Sequence, residues 1–164
     1  MAVPLPPIDE LDRLDTADFA GTLARIFEPN PLLLERLAAR RPFRSYAELI
    51  SAARDIVTRM SDAERTALLA SHPRIGAGGA MSEASRREQA GAASATVDAE
   101  LAGLQTEYER RFGFRFVTFV DRRPRHAILE ELRARLTHSR DVELAAGVGA
   151  YLAICADRAG VAAA

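Results

Sequence analysis

Apolar residues recur every three or four positions along most of the chain, the spacing that places side chains on one face of an α-helix. Asp15 can cap the first such helix. Its apolar face consists of Phe19, Leu23, Ile26 and Phe27. The Glu28-Pro29-Asn30-Pro31 segment should end it, because proline cannot continue the backbone hydrogen bonds of a helix. A second helix is predicted from Leu32 to Ala39.

Capping residues mark the next two helices. Ser45 can cap the first of them, and its apolar positions keep the helical spacing: Leu49, Ala52, Ala53, Ile56 and Met60. Ser61 and Glu64 have the spacing of a capping box, in which each side chain bonds the backbone N–H of the other residue. The helix that they open should end at Ser71-His72-Pro73, since a residue before proline is pushed out of helical geometry.

A glycine-rich connection, residues 74–81, divides the chain and is predicted to be irregular. A long helix should follow from residue 82 or 83 to Tyr108, bent or broken between 91 and 96, with Gly113 after its end. The aromatic and β-branched run 114–120 has no strand partner elsewhere in the sequence, so we expect it to be extended but outside any sheet.

Two further helices are predicted in the last third of the chain. Pro124 and Arg125 should open one that reaches Leu136, and the last should run from about Asp141 to Arg158. With 164 residues, many Ala and Leu, and no internal repeat or linker, the sequence predicts one all-α domain over 1–164. We expect a compact arrangement of seven to nine helices, with residues 1–8 as an extended N-terminal segment.

Charge and cysteine content exclude several kinds of partner and site. Lys and Arg number 22 against 23 Asp and Glu, so no overall field would gather nucleic acid or an anionic membrane. The single cysteine, Cys155, cannot form an internal disulfide and is predicted to be buried in the last helix. No targeting segment or membrane span is visible, and we expect a cytoplasmic location.

His72 is the strongest candidate for chemistry among the three histidines. It lies between a helix end and Pro73, which restricts its backbone and aims its ring, although a favourable interaction with the helix dipole would explain it equally. His126 and His138 lie among charged residues and should be exposed. Neither a zinc ligand set, nor a phosphate-binding loop, nor a nucleophile elbow is present, so we expect no metal and no nucleotide.

A second polar group follows the glycine-rich connection. On a helix, Ser85, Glu88 and Gln89 share one face because they lie three and four residues apart. A solvated helix face would have the same pattern. The small neighbours, Ala90 and residues 92–93, instead favour a closed pocket.

The sequence resembles the OHCU decarboxylases, enzymes that act on 2-oxo-4-hydroxy-4-carboxy-5-ureidoimidazoline. The matching motifs occur in the family's order over nearly the whole chain: Glu28-Pro29-Asn30-Pro31, Arg41-Pro42-Phe43, His72-Pro73-Arg74-Ile75-Gly76, Ser85-Arg86-Arg87-Glu88-Gln89, Tyr108 to Phe116, and the helices with Arg133-Ala-Arg-Leu and Arg158. The resemblance implies an all-helical homodimer that converts OHCU to S-allantoin without cofactor.

The resemblance also implies roles for particular residues. His72 matches the catalytic histidine, which would act as general acid and base, and Glu88 matches the catalytic glutamate. Pocket residues would be Pro73, Ser85, Gln89, Val120 and Arg158. Phe119-Val120 departs from the smaller residues common there. Two alternatives therefore stay open: a decarboxylase of a different ureido acid, and a helical interaction module that has lost activity.

Overall fold

The computed structural model of the chain describes residues 4–76 and 92–162, with side chains from residue 95 onward in the second stretch. These stretches contain eight α-helices and no β-strand. The helices are α1 (Ile8–Arg13), α2 (Thr16–Phe27), α3 (Pro31–Ala38), α4 (Tyr46–Thr58), α5 (Asp62–Ala70), α6 (Ala92–Phe112), α7 (Arg125–Arg135) and α8 (Arg140–Arg158). The predicted all-α class is confirmed, and the number of described helices falls within the expected seven to nine.

The predicted helix boundaries agree with the structure where a capping residue marks them. The Asp15 carboxylate accepts a hydrogen bond from the backbone N–H of Asp18 at 2.8 Å. Ser61 and Glu64 form both bonds of the capping box. After α6, Gly113 has a φ of 81°, a left-handed geometry that glycine adopts without steric cost and that commonly ends helices.

Helix α1 is absent from the prediction. It has only six residues and a single buried apolar side chain, Leu11, so it presents no apolar period that could have been detected. Helix α3 begins at Pro31, one residue earlier than expected. Proline suits the first helical position because the N–H that it lacks would have no partner inside the helix.

Helix α8 lies at the centre of the domain and packs against α2, α4 and α5, whereas α6 packs on α7. Gly147 allows α5 and α8 to approach closely, since a Cβ atom there would lie 2.8 Å from Cδ1 of Leu69. This contact brings the C-terminal end of α5 beside α8. The residues that follow α5 therefore face the last two turns of α8.

The segment after α6 is extended and unpaired, as expected. Phe114 and Phe116 are buried, and the Phe116 and Tyr108 rings meet edge to face with centroids 5.3 Å apart. This packing fixes the course of residues 114–120 across the end of the helices. Among the described helices, none combines the length and apolar character that a membrane span requires.

Candidate active site

His72 follows α5 directly, and the chain fixes the orientation of its ring. Its backbone N–H bonds the Leu69 carbonyl at 3.2 Å, and its Nδ1 lies 3.1 Å from the Pro73 carbonyl oxygen. A carbonyl only accepts hydrogen bonds, so Nδ1 carries the proton and Nε2 of the neutral ring has a free lone pair. Nε2 is buried and has no hydrogen-bond partner among the described residues.

The surroundings of the His72 ring favour its neutral form. Burial lowers the pKa of His72 below 6.5, and the nearby guanidinium of Arg158 lowers it further, whereas the hydrogen bond to the Pro73 carbonyl raises it. The Tyr151 ring meets the imidazole edge to face, with centroids 6.3 Å apart. The result is a neutral imidazole that can accept a proton near pH 7.

His72 faces a small cavity of about 220 Å³. Its wall is made of side chains from the loop after α5, the segment after α6 and the end of α8: His72, Ile75, Phe116, Val117, Thr118, Phe119, Val120, Asp121, Ile154 and Arg158. Most of this wall is apolar, with a few polar groups at defined places. Cavities for drug-sized ligands measure about 300–1,000 Å³, so this one suits a small metabolite.

The loop that holds His72 is tied to its neighbours by hydrogen bonds. Arg115 donates to the His72 carbonyl at 2.7 Å. The Gln105 amide bonds both backbone groups of Ile75, at 3.0 Å to the N–H and 2.9 Å to the carbonyl. Arg74 pairs with Glu109 at 2.9 Å. These bonds hold the imidazole in place from two sides.

Gln105 is a positioning residue that sequence reasoning missed. It is 2% exposed and lies on the buried face of α6, where the other members are apolar: Leu101, Tyr108 and Phe112. A single polar residue on an otherwise apolar helix face was the available signal. Such a residue must satisfy its amide inside the protein, and Gln105 does so on the backbone of Ile75.

Arg158 enters the cavity from the last turn of α8. Its Nη1 atom bonds the Ile26 carbonyl at 3.3 Å and the Glu28 carboxylate at 2.5 Å. Glu28 follows α2 with a φ of 58° and a ψ of 166°, a region that costs a residue other than glycine about 1–3 kcal/mol. Sequence reasoning placed Glu28 at the end of a helix and in a motif that resembles the OHCU decarboxylases, but it missed this contact.

The structure brings three of the predicted site residues to one cavity: His72, Val120 and Arg158. Pro73 is exposed and contributes the carbonyl that orients the imidazole. Ser85, Glu88 and Gln89 lie outside the described residues, and their roles remain predictions. His126 and His138 are exposed, as expected.

The described residues contain no group of three or more His, Cys, Asp or Glu side chains that could hold a metal ion. Within the same part of the chain, the charged and titratable side chains of the cavity wall are His72, Asp121 and Arg158. These features define a class: an all-helical domain with a small cavity lined by a histidine and an arginine.

Comparison with known proteins names the family. The family model for OHCU decarboxylase matches residues 12–160. The 2-oxo-4-hydroxy-4-carboxy-5-ureidoimidazoline decarboxylase of Haloferax volcanii is 33% identical over 140 residues, which cover 83% of each chain. The chain therefore belongs to the OHCU decarboxylase family.

Two further comparisons concern a relative in sequence and a likeness in fold. The uric acid degradation bifunctional protein PucL of Bacillus subtilis is 34% identical over 83% of this chain, which spans only 28% of that protein. A crystal structure of OHCU decarboxylase in the presence of (S)-allantoin has a TM-score of 0.67 and 24% identity, covering 79% of this chain and 89% of the other. The second likeness concerns the fold.

Proposed function

We propose that this chain removes CO₂ from OHCU and releases (S)-allantoin, a step of urate degradation, without a metal or organic cofactor. The observation that carries the proposal is the His72 imidazole, which lines a small cavity together with Arg158 and whose buried Nε2 has no hydrogen-bond partner among the described residues. Membership of the OHCU decarboxylase family supports the choice of substrate.

The substrate supplies its own electron sink. One ring carbon carries both the hydroxyl and the carboxylate, and the neighbouring carbon forms a double bond to nitrogen. When the bond to CO₂ breaks, its electron pair moves toward that carbon–nitrogen double bond, and the nitrogen takes up a proton. The hydroxyl then loses its proton to become a carbonyl, and the neighbouring carbon gains one. A cofactor that stores electrons is therefore unnecessary.

His72 is proposed as the group that moves these protons. Its lowered pKa keeps Nε2 unprotonated near pH 7, so Nε2 can accept the hydroxyl proton and later return a proton to one face of the ring. Delivery from one side would yield a single enantiomer. General acid–base catalysis of this kind typically contributes a factor of about 10² to 10⁴.

The remaining pocket residues are proposed to bind and orient the ring. The Arg158 guanidinium is suited to a carboxylate or carbonyl in the plane of the substrate. Backbone groups near Val120 would meet the ring, and Pro73 would keep the histidine oriented. By resemblance to the family, Glu88 would act with His72, and Ser85 and Gln89 would line the pocket.

The decisive experiment follows the chirality of the product. The purified chain is added to OHCU freshly generated by uricase and hydroxyisourate hydrolase, and circular dichroism is recorded as allantoin forms. We expect (S)-allantoin to appear faster than in the enzyme-free reaction. Racemic allantoin formed at the uncatalysed rate would refute the proposal. Turnover of another ureido acid, with none of OHCU, would replace OHCU as the assigned substrate.

We further propose that the chain acts as a homodimer in the cytoplasm. The family resemblance supports the dimer, and a single buried thiol at Cys155 is compatible with a reducing compartment. Sedimentation velocity at micromolar concentration should give twice the monomer mass of 17.8 kDa. A monomer under these conditions would contradict the dimer without affecting the proposed reaction.

A further inference from the structure

We infer that Glu28 is a positioning residue of this site: its carboxylate holds the Arg158 guanidinium at the cavity in the orientation that grips an anionic substrate. The inference rests on the proposed function. It concerns a residue far from Arg158 in the sequence, directly after the end of α2.

The backbone of Glu28 has a conformation that is unfavourable for a residue other than glycine. Its φ of 58° lies in the left-handed region that glycine adopts freely and other residues avoid. Pro29 follows and requires extended geometry before it, which agrees with the ψ of 166°. Glycine would adopt this conformation at a lower energy. The cost of placing Glu28 here must therefore be offset by the contacts of its carboxylate.

The Glu28 carboxylate forms an ion pair with Arg158. The two side chains meet at 2.5 Å, and they are only 19% and 33% exposed. The same Nη1 atom also bonds the carbonyl of Ile26, at the negative end of the α2 dipole. A third contact, from the Tyr151 hydroxyl to the Phe27 carbonyl at 2.5 Å, fixes the end of α2 against α8.

These contacts select which edge of the guanidinium is presented to a ligand. Both hydrogen bonds of Arg158 come from Nη1, and within the described part of the chain Nε and Nη2 make none. Nε and Nη2 form the edge that can bind a carboxylate through two parallel hydrogen bonds. Glu28 thereby binds Nη1, and the edge formed by Nε and Nη2 stays available for two parallel hydrogen bonds to the substrate.

Glu28 also offsets positive charge around the imidazole. Arg158 from α8 and Arg115 from the segment after α6 lower the pKa of His72, while Glu28 at the end of α2 raises it. Asp121, from the same segment as Arg115, lies in the cavity wall. Loss of the Glu28 charge should lower the pKa of His72, so the titration reports the charge of Glu28, whereas the change in KM reports its hold on Arg158.

The test compares Glu28→Gly with Glu28→Gln in the full chain. Glu28→Gly removes the carboxylate and relieves the backbone, so its urea midpoint should be no lower than that of the wild type. Its KM for OHCU should rise about tenfold, with kcat changed less than threefold. Glu28→Gln keeps an oxygen that accepts a hydrogen bond, so KM should rise only about threefold, because bonds to charged groups are roughly twice as strong as neutral ones.

A second readout separates this inference from the proposed reaction. NMR titration of the His72 imidazole should show a lower pKa in both Glu28 variants than in the wild type. The matched control is Glu64→Gln, which removes a carboxylate paired with Arg36 at 2.7 Å outside the cavity wall and should change neither KM nor the titration. An unchanged KM or an unchanged imidazole pKa in Glu28→Gly overturns the inference. If the wild type does not convert OHCU, the proposed function fails, and the NMR titration still tests whether the Glu28 charge acts on His72.

Discussion

Two buried polar regions of this protein differ in how completely their groups are paired. In the first, the fully buried Glu143 carboxylate has three partners: the Tyr108 hydroxyl at 2.5 Å, Arg135 Nε at 2.7 Å and His138 Nδ1 at 2.7 Å. We call these four residues the Glu143 cluster. In the second, the His72 cavity, the imidazole Nε2 has no partner among the described residues.

The Glu143 cluster supports the wall of the cavity. Arg135 donates a further hydrogen bond to the Val117 carbonyl at 3.0 Å, and its guanidinium lies over the Phe116 ring, 4.7 Å from the centroid. Both of these residues line the His72 cavity. The cluster therefore holds the extended segment after α6, which has no sheet to stabilise it.

The difference indicates what each region does. A buried polar group whose partners are complete specifies conformation, because moving any member would leave a charge unpaired. A buried polar atom without a partner costs free energy and is retained where a ligand completes its bonding. Substitutions in the Glu143 cluster should consequently lower stability, whereas substitutions in the His72 cavity should lower turnover.

The largest expected effect is on stability, from Glu143→Ala. Removing the carboxylate leaves Arg135 buried without its main partner, which should lower the free energy of unfolding by about 3–5 kcal/mol. Urea unfolding monitored by circular dichroism measures this change. Glu143→Gln, which keeps shape and one acceptor, should cost less. A loss below about 1 kcal/mol for the alanine variant would contradict the structural role of the cluster.

The next effect is on turnover, from His72→Ala. The rate of (S)-allantoin formation should fall by at least about 10², equivalent to about 2.7 kcal/mol of activation free energy, while the urea midpoint changes little. The matched control is His138→Ala, which removes a half-exposed imidazole from the Glu143 cluster. That control should retain turnover within about threefold. Equal losses of turnover in His72→Ala and His138→Ala would contradict the different roles assigned to the two regions.

A smaller effect is expected from Arg158→Lys. Lysine keeps the charge but lacks the planar fork that binds a carboxylate through two bonds, so kcat/KM should fall about tenfold, or about 1.4 kcal/mol. Steady-state kinetics on OHCU test this. The control is Arg133→Lys, whose exposed guanidinium pairs with Glu100 and Glu130 outside the cavity wall. Equal kcat/KM in Arg158→Lys and the wild type would exclude bidentate binding.

Much of the fold could be predicted because its signals are local. Asp15, Ser45, Ser61 and Gly113 each determine a helix end through their own side chain or backbone freedom, so the sequence alone was sufficient there. The placement of His72 could be predicted for the same reason, since Pro73 directly restricts the backbone conformation of the residue before it. Helix α1 was missed because its single buried leucine, Leu11, cannot form a repeating pattern of apolar positions.

The parts of the site that were missed depend on contacts between distant residues. Glu28 and Arg158 are separated by 130 positions, and Gln105 and Ile75 by 30. No periodicity connects such pairs, because they meet only after helices α2, α6 and α8 pack. Gln105 and Glu143 nevertheless gave a usable signal, since each is a polar residue on an otherwise buried helix face.

The smallest expected effect concerns the pH dependence of stability, and it decides which group controls His72. Burial lowers its folded pKa below the unfolded value of 6.5. The native state then binds fewer protons than the unfolded state, so the contribution of His72 to stability is complete above pH 6.5 and is lost as the pH falls through the folded pKa. His72→Asn removes this contribution, so wild type and variant should diverge in urea midpoint across that window. If Glu88 lay against the imidazole and raised its pKa above 6.5, the difference would reverse, with stability lost as the pH rises through the folded pKa. Parallel curves would show that His72 titrates alike in the folded and unfolded chain, which would contradict its burial.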